Sequence, residues 1–413
     1  MLDSFPSLLI ATEFPPNASG GGPAVLRQML RNWPVDRLFW WSCFPERDAR
    51  FGQRVAGHRV ATITRRFYPN RRFTRVKSWL LDCCWVPSAT RHFRNTLADF
   101  RPQAVWVVPH NWAIPPLVAV LPQTRTCFHL TLQDYPEMNS SIASFGRKRC
   151  RRWAQAVDKL YSAATTRDAT SHPMIEDLKS RTGLDAAQMM HAGLEPEDFR
   201  FLDSRTGRPA SQIRIAYAGT IHTEPEFAFF VTALKDIVSA LPAPVRIDLF
   251  GAHSYQSRPW FDPSWMQEHG NLPEEPLLQA LRECTWGFSP MALSDDDPRY
   301  NRFSFPTKFI TYLAAGLPVI TLGHPQNSVV KMASMYPVGL CSTTTSRAEL
   351  AQQLLTALSQ AAPAQIYAPG IRRCASAEFD APQKRALLYQ CLQRCSIETL
   401  GRAQKDLETT ATP

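Results

Sequence analysis

Short, almost uninterrupted apolar runs recur along the chain, and each is followed by a stretch with apolar residues at helical spacing. In the first half the runs are Ser7 to Thr12, residues 38–44 (LFWWSCF), residues 59–64 (RVATIT), Gln103 to Pro109 (QAVWVVP) and Arg125 to Leu132. In the second half they are Ile213 to Tyr217, Val245 to Gly251, Trp286 to Pro290 and Val319 to Leu322. The runs without polar alternation, such as Gln103 to Pro109 and Val319 to Leu322, are what strands covered on both faces require. Between them, Val25, Leu26, Met29 and Leu30 share one helical face, and helices are predicted over 227–241, Glu274 to Cys284, Glu349 to Gln360 and Ala381 to Arg394. Strand and helix in regular alternation predict an α/β protein with parallel sheets.

One stretch concentrates the chemistry. Asn301 to Leu322, NRFSFPTKFITYLAAGLPVITL, reads as loop, helix, tight turn and strand. Ser304 is placed to cap the helix, Pro306 suits its first turn, and Lys308 follows in that same turn. Phe309, Ile310, Leu313 and Ala314 form its core face, and Gly316 with Pro318 ends it. A helix N-terminus at the carboxyl edge of a parallel sheet gathers unpaired N–H groups and the positive end of the macrodipole. A lysine there completes a seat for a diphosphate. The alternative is an ordinary strand–helix–strand unit with a solvated lysine.

At 413 residues the chain can build two α/β domains, each with its own core. No apolar run approaches the roughly 20 residues of a membrane-spanning helix. The N-terminus, MLDSFPSLLIATEF, lacks a basic leader and reads as a first strand rather than a signal peptide. The ten cysteines show no zinc spacing and read as reduced thiols of a cytoplasmic protein. Residues 1–200 hold 27 Lys and Arg against 17 Asp and Glu, which accounts for the whole net charge of +10, since the remaining residues balance at 19 each. The first half therefore calls for an anionic partner. Arg65, Arg66, Arg71, Arg72, Arg75 and Lys77 lie in a stretch without acids, interleaved with Phe67, Tyr68, Phe73 and Trp79. Such a segment can rest on an anionic bilayer, stack on single-stranded nucleic acid, or lead into a core helix as a solvated loop. Residues 147–152 (RKRCRR) open a helix with a second basic cluster.

The stretch PTKFITYLAAGLPVI resembles the sugar-nucleotide loop of GT-B glycosyltransferases, in particular the retaining family 4, whose members read P-S-K-L-x-E-Y-x-A-x-G-x-P-V-I. The resemblance extends over nearly the whole chain. The glycines before Pro23 match a Gly-Gly turn, Gln133-Asp134 stands where the family has His-Asp, and HAGLEPEDF matches N-G-[VI]-D-x-x-x-F at Gly193 and Phe199. Ala218-Gly219-Thr220 resembles the first loop of the nucleotide domain, and residues 270–273 (GNLP) the turn where the base packs. The resemblance implies an α/β GT-B fold of two Rossmann-like domains with parallel sheets facing a central cleft. The divisions are an acceptor domain over 1–202, a linker over 203–212, a nucleotide-sugar domain over 213–380, a helix over 381–400 crossing back to the first domain, and a disordered polar tail over 401–413.

The resemblance further implies a hexosyltransferase-type enzyme moving a sugar from a nucleotide-sugar donor to a glycan or lipid-linked acceptor, with retention and without a metal or other cofactor, in surface polysaccharide or glycolipid assembly. Catalytic roles fall to Asp134, His110 and Lys308. Donor contacts fall to Gly21, Gly22, Gly219, Thr220, His222, Leu272, Phe305, Pro306, Thr307, Lys308, Thr311, Asn327 and Ser328. The basic segment with Trp79 becomes a membrane or acceptor contact, nucleic acid is set aside, and the protein is expected in the cytoplasm with the inner face of the plasma membrane as an option. The run Asp295-Asp296-Asp297 is expected to be a solvated acidic loop rather than a metal ligand. Two departures stand out. The Arg and Lys that usually follow the first nucleotide-domain loop are absent from Ile221 to Pro225, and Phe303 and Thr311 occupy the places of two glutamates. They keep two alternatives open: a non-catalytic GT-B scaffold or partner protein, and a nucleotide-sugar epimerase.

Overall fold

The computed structural model describes residues 5–16, 21–43, 57–65, 74–204 and 211–410. The chain forms two compact units. The first comprises residues 1–191 and 383–413, and the second residues 192–382.

The first unit is built on strands β1 (Leu8–Thr12), β2 (Leu38–Ser42), β3 (Arg59–Thr62), β4 (Ala104–Val108), β5 (Phe128–Leu132) and β6 (Thr166–Ala169). They form one parallel sheet in the order β3-β2-β1-β4-β5-β6. Leu8 lies opposite both Leu38 and Ala104, and Thr12 opposite Ser42 and Val108. All residues of β1, β4 and β5 are buried, as the apolar runs of β1 and β4 require, while in β5 the polar His129 and Thr131 are buried with partners. Trp40, Trp41, Trp106 and Trp112 are fully buried in this unit. Three of these indoles find acceptors: Trp40 donates to the Phe14 carbonyl at 2.9 Å, Trp41 to His92 Nδ1 at 3.1 Å and Trp106 to Thr131 Oγ1 at 2.8 Å. His129 and Asp168, both without solvent exposure, pair at 2.9 Å between β5 and β6.

The helix Ala381–Thr410 closes the first unit. Arg385 donates to the Gln28 carbonyl at 2.8 Å, Tyr389 to the Arg31 carbonyl at 2.7 Å, and Thr399 Oγ1 accepts from the Cys127 amide at 2.9 Å. The expectation of a disordered tail from 401 is corrected over residues 401–410, which continue this helix. Their sequence, GRAQKDLETT, is polar yet rich in good helix formers, so polarity alone does not signal disorder there.

The second unit contains β7 (Ile213–Ala218), β8 (Val245–Phe250), β9 (Met266–Gly270), β10 (Trp286–Pro290), β11 (Val319–Leu322) and β12 (Cys341–Ser342), in the order β12-β11-β10-β7-β8-β9. Read from its other end, this is the strand order of the first unit. Phe227, Phe230, Phe288, Trp286 and Trp260 anchor its core, with the Phe230 and Phe288 rings stacked at 3.9 Å. The helix Pro196–Ser204 belongs to this unit. Arg282 lies 3.9 Å over the Phe201 ring, and Arg372 lies 4.9 Å over Phe199 and 3.3 Å from Asp203. The division between units thus falls before this helix, upstream of the polar segment 203–212.

All ten cysteines are free thiols. Among the described residues no helix is long and apolar enough to cross a membrane.

Candidate functional site

In each sheet the strand order reverses once, between β1 and β4 in the first unit and between β7 and β10 in the second. Connections leave in opposite directions there, and a crevice opens at the carboxyl ends of the two strands. The chemistry at these two places is very different.

In the second unit, β7 ends in Tyr217-Ala218 and turns at Gly219, whose φ of +96° is strained for any residue with a side chain. From β10 the chain passes through the helix Pro298–Phe303 and then the helix Thr307–Ala314. The second helix starts at the carboxyl edge and brings Lys308 in its first turn. Its N-cap is Pro306, with no side-chain cap, so Ser304 does not have the capping role its sequence position suggested. Ser304 instead ends the preceding helix and offers its carbonyl to the Ser328 hydroxyl. The helix is locked to the sheet by Tyr312, which accepts from the Ala218 amide at 2.9 Å and donates to the Phe288 carbonyl at 3.2 Å. Its ring lies against Gly287, where a Cβ would come within 2.5 Å of it, so only glycine fits in β10 at that point.

Lys308 Nζ donates to the Tyr217 hydroxyl and stands 4.0 Å from the centre of the Tyr217 ring. Tyr217 in turn donates to the Thr220 carbonyl at 2.8 Å. Burial pulls the Lys308 ammonium down to about 7 and pushes the Tyr217 phenol far above its ordinary value. His222 is exposed on the same loop, and partial desolvation, the charge on Lys308 and that on His253 lower its imidazole. Thr220 Oγ1 lies 3.3 Å from His253 Nδ1. Gly219, Thr220, His222, Pro306, Thr307 and Lys308 thus belong to the two segments that meet through Tyr217.

The other expected donor residues are placed differently. Thr311 donates to the Thr307 carbonyl at 3.2 Å within its own helix. Phe305 is buried between Phe309 and Phe379, with ring centres 5.7 and 5.5 Å away. Leu272 is half-buried after β9, at the far end of the sheet from β11. Asn327 is fully buried and caps the helix Ser328–Met335, accepting from the Val329 amide at 2.9 Å. Asn327 and Ser328 therefore brace the loop after β11 against the segment leading to Lys308. Of the acidic run, Asp297 caps the helix Pro298–Phe303 through the Tyr300 amide at 3.2 Å, and Asp295 accepts from the buried Asn301 at 3.2 Å. Among the described residues no group of three or more His, Cys, Asp or Glu could hold a metal ion.

In the first unit the crevice is lined by Glu13 after β1, His110 and Asn111 after β4, and Gln133 and Asp134 after β5. Glu13 is nearly buried. It pairs with Arg65 at 2.9 Å and accepts from Asn111 Nδ2 at 2.9 Å, while Asn111 adopts a left-handed φ of +37°. His110 Nε2 stands 3.4 Å from Asp134 Oδ2, and Asp134 is 66% exposed. Burial works against the His110 charge, but the Asp134 hydrogen bond and the charges of Asp134 and Glu13 raise its imidazole above the usual value. Gly21 and Gly22 lie in the first turn of the helix Gly21–Met29, and a Cβ on Gly22 would come 3.1 Å from Gln133 Oε1. Sequence reasoning missed Glu13 and Tyr217. The only signal for Glu13 was a carboxylate directly after the first strand, and Tyr217 reads as one more apolar strand residue.

Arg65 turns inward to Glu13 and also lies over the Trp112 ring at 5.9 Å, so its expected surface contact with a membrane is corrected to a buried ion pair. Arg66, Arg71 and Arg72 lie outside the described residues, and Arg75 is in the helix Thr74–Leu80. On that helix Trp79 is 60% exposed beside Val76 at 54%, and Lys77 is half-buried. The second basic cluster is tied to the continuation of this helix by Asp82, 2.6 Å from Arg149 and 3.7 Å from Arg152.

No family model matches the chain, and no curated protein matches it by sequence. Solved structures do. A sucrose-phosphate synthase from Thermosynechococcus elongatus superposes with a TM-score of 0.64 at 15% identity over 98% of this chain and 99% of that one. A UDP-forming α,α-trehalose-phosphate synthase from Burkholderia xenovorans, in complex with glucose-6-phosphate, gives 0.61 at 12% identity over 94% and 100%. An E. coli structure, described as trehalose-6-phosphate bound with UDP-2-fluoro glucose, gives 0.59 at 12% identity over 94% and 99%. With its two six-stranded parallel sheets and interleaved helices, the chain has the two-domain GT-B glycosyltransferase fold.

Proposed function

We propose that this protein is a glycosyltransferase of the hexosyl-transferring class, with a nucleotide-sugar donor in the second unit and a glycan or lipid-linked acceptor in the first. The observation that carries this reading is Lys308, set in the first turn of a helix at the strand-order reversal and joined through Tyr217 to the Gly219–Thr220 turn. A diphosphate placed there meets a cation, a helix N-terminus and a tight backbone turn. Those groups would also stabilise the charge that develops on the leaving diphosphate, and positioned donors of this kind supply much of enzymatic rate enhancement. Solved structures of the same fold hold glucose-6-phosphate in one case and UDP-2-fluoro glucose in another, which supports a nucleotide-sugar donor and a sugar-like acceptor as the two substrates. In the first unit the His110–Asp134 pair would orient the acceptor or steady the transferring sugar. The reading includes retention at the anomeric carbon, no requirement for a metal, and a role in polysaccharide or glycolipid assembly.

Thermal unfolding with a panel of nucleoside diphosphates and their sugars, with and without EDTA, tests it. A bound ligand at 100 times its Kd stabilises by about 2.7 kcal/mol. A selective shift that survives EDTA and is lost in Lys308→Ala is expected. A shift abolished by EDTA would overturn metal independence. The non-catalytic reading is favoured by Phe303, buried in the core where an acid would be needed, and it gains if no nucleotide shifts the transition. The first unit's charge and exposed Trp79 support contact with an anionic bilayer. Sedimentation with vesicles containing anionic lipid should fall several-fold for Trp79→Ser, and unchanged sedimentation would remove the membrane from the proposal.

A further inference from the structure

Lys308 has an unusual anchor. A half-buried lysine whose ammonium is turned inward is ordinarily paired with a carboxylate. Here, among the described residues, its hydrogen-bond partner is a phenol and its charge rests on a phenol ring. The titratable groups around the pair are Tyr312 from the helix of Lys308, Tyr255 and Tyr300 near Tyr217, and His222 on the adjoining turn, with His253 behind Thr220. None of these is an acid. Tyr217 is itself held on three sides. Its backbone is in β7, its ring meets Phe227 edge-on at 5.2 Å and 90°, and its hydroxyl is spent on the Thr220 carbonyl. It can therefore accept from Lys308 while fixing the turn that carries Gly219 and Thr220.

Resting on the donor-site reading above, we propose that Tyr217 is a positioning residue that holds Lys308 without a protein counter-charge, so that the diphosphate of the donor supplies that charge on arrival. A carboxylate in the same place would hold the lysine equally well but would cancel the charge and repel the phosphates. A phenol orients the ammonium by its oxygen and its ring face while leaving it available. Because burial disfavours a cation without a counter-charge, Lys308 sheds its proton in the free protein more readily than an ordinary lysine and takes one up when two phosphates approach. The same residue ties the lysine to the neighbouring turn, so the two halves of the phosphate seat are set together before ligand binds.

The test combines two readouts on the full chain. In the free protein, the Lys308 side chain is titrated by NMR after lysine labelling, assigned with Lys308→Arg. In parallel, binding of UDP and of the other nucleoside diphosphates is measured by calorimetry between pH 6 and 9 in buffers of different ionisation enthalpy. The parent should take up a proton on binding above neutral pH, and its affinity should fall by about tenfold per pH unit once Lys308 is neutral. Lys308→Arg should bind without that pH dependence, because guanidinium stays charged. Tyr217→Phe keeps the ring and loses the hydroxyl. It should shift the Lys308 titration and move the pH profile of binding with it, with its thermal midpoint reported as a check of folding. An unchanged Lys308 titration in Tyr217→Phe overturns the role given to Tyr217. Binding with no proton uptake overturns the missing counter-charge. If no nucleoside diphosphate binds the parent, the donor-site reading fails, and the role of Tyr217 as the donor-site positioner falls with it even if the titration in the free protein still shows that it controls Lys308.

Discussion

The two units share one strand order and place opposite chemistry at the same point of it. At the β1/β4 reversal the charged groups are matched inside the protein: Glu13 with Arg65 and Asn111, and His110 with Asp134. At the β7/β10 reversal, among the described residues, Lys308 meets a phenol rather than an acid. Topology explains why both places are crevices, but not what each can hold. A site whose charges already balance suits a ligand recognised by hydroxyl groups and shape. One with an unbalanced cation suits an anion.

Substitutions can break this contrast. The largest effect is expected for Glu13→Ala, which removes the carboxylate paired with the nearly buried Arg65 guanidinium. Breaking a buried pair from one side costs about 3 kcal/mol or more. Denaturant midpoints should fall accordingly, and an unchanged midpoint would show that the pair is not buried in solution. Lys308→Met removes a charge that no acid among the described residues balances, and the free protein should lose no stability at neutral pH.

The pH dependence of stability should also run in opposite directions in the two units. The Lys308 amine titrates near 7 when folded and near its ordinary 10.5 when unfolded. The unfolded chain therefore holds the extra proton between those values, and this group makes the fold more stable as pH rises through that window. His129, although burial opposes its charge, is raised to about 9 by Asp168. Its stabilising contribution is complete below its unfolded value of 6.5 and is lost as pH rises through 9. Comparing denaturant midpoints from pH 6 to 10, Lys308→Met should flatten a rising component and His129→Gln a falling one. Slopes of the same sign for both variants would end the comparison. The smallest effect is expected for Asp134→Asn, which should move the His110 titration to lower pH by NMR and leave nucleotide binding in the second unit unchanged.

Much of the fold was legible because parallel strands buried on both faces leave continuous apolar runs, as β1, β4 and β11 do. The misses have physical causes. Strand β9, Met-Gln-Glu-His-Gly, is an edge strand with one buried residue, so it carries no apolar signature. The helix Pro363–Glu378 contains Pro369 and Gly370, a pair that reads as a turn. In the site, Lys308 was legible because its neighbours in sequence are also its neighbours in space. Tyr217 lies 91 positions away and Glu13 52 positions from Arg65, and only the assembled sheet brings them together. Arg65 read as one more surface cation for the same reason.

The closing helix has a consequence for how the molecule is made. The second unit is one continuous segment, whereas the first is assembled from residues 1–191 and the segment that begins at 383. During synthesis the second unit has all of its own residues before the first has its last helix. Until that helix arrives, the carbonyls of Gln28 and Arg31 and the amide of Cys127 lack the partners that Arg385, Tyr389 and Thr399 provide. The part of the protein that starts first is thus the part that finishes last, and a premature stop near residue 383 would strike the fold of the N-terminal half while sparing the unit just completed.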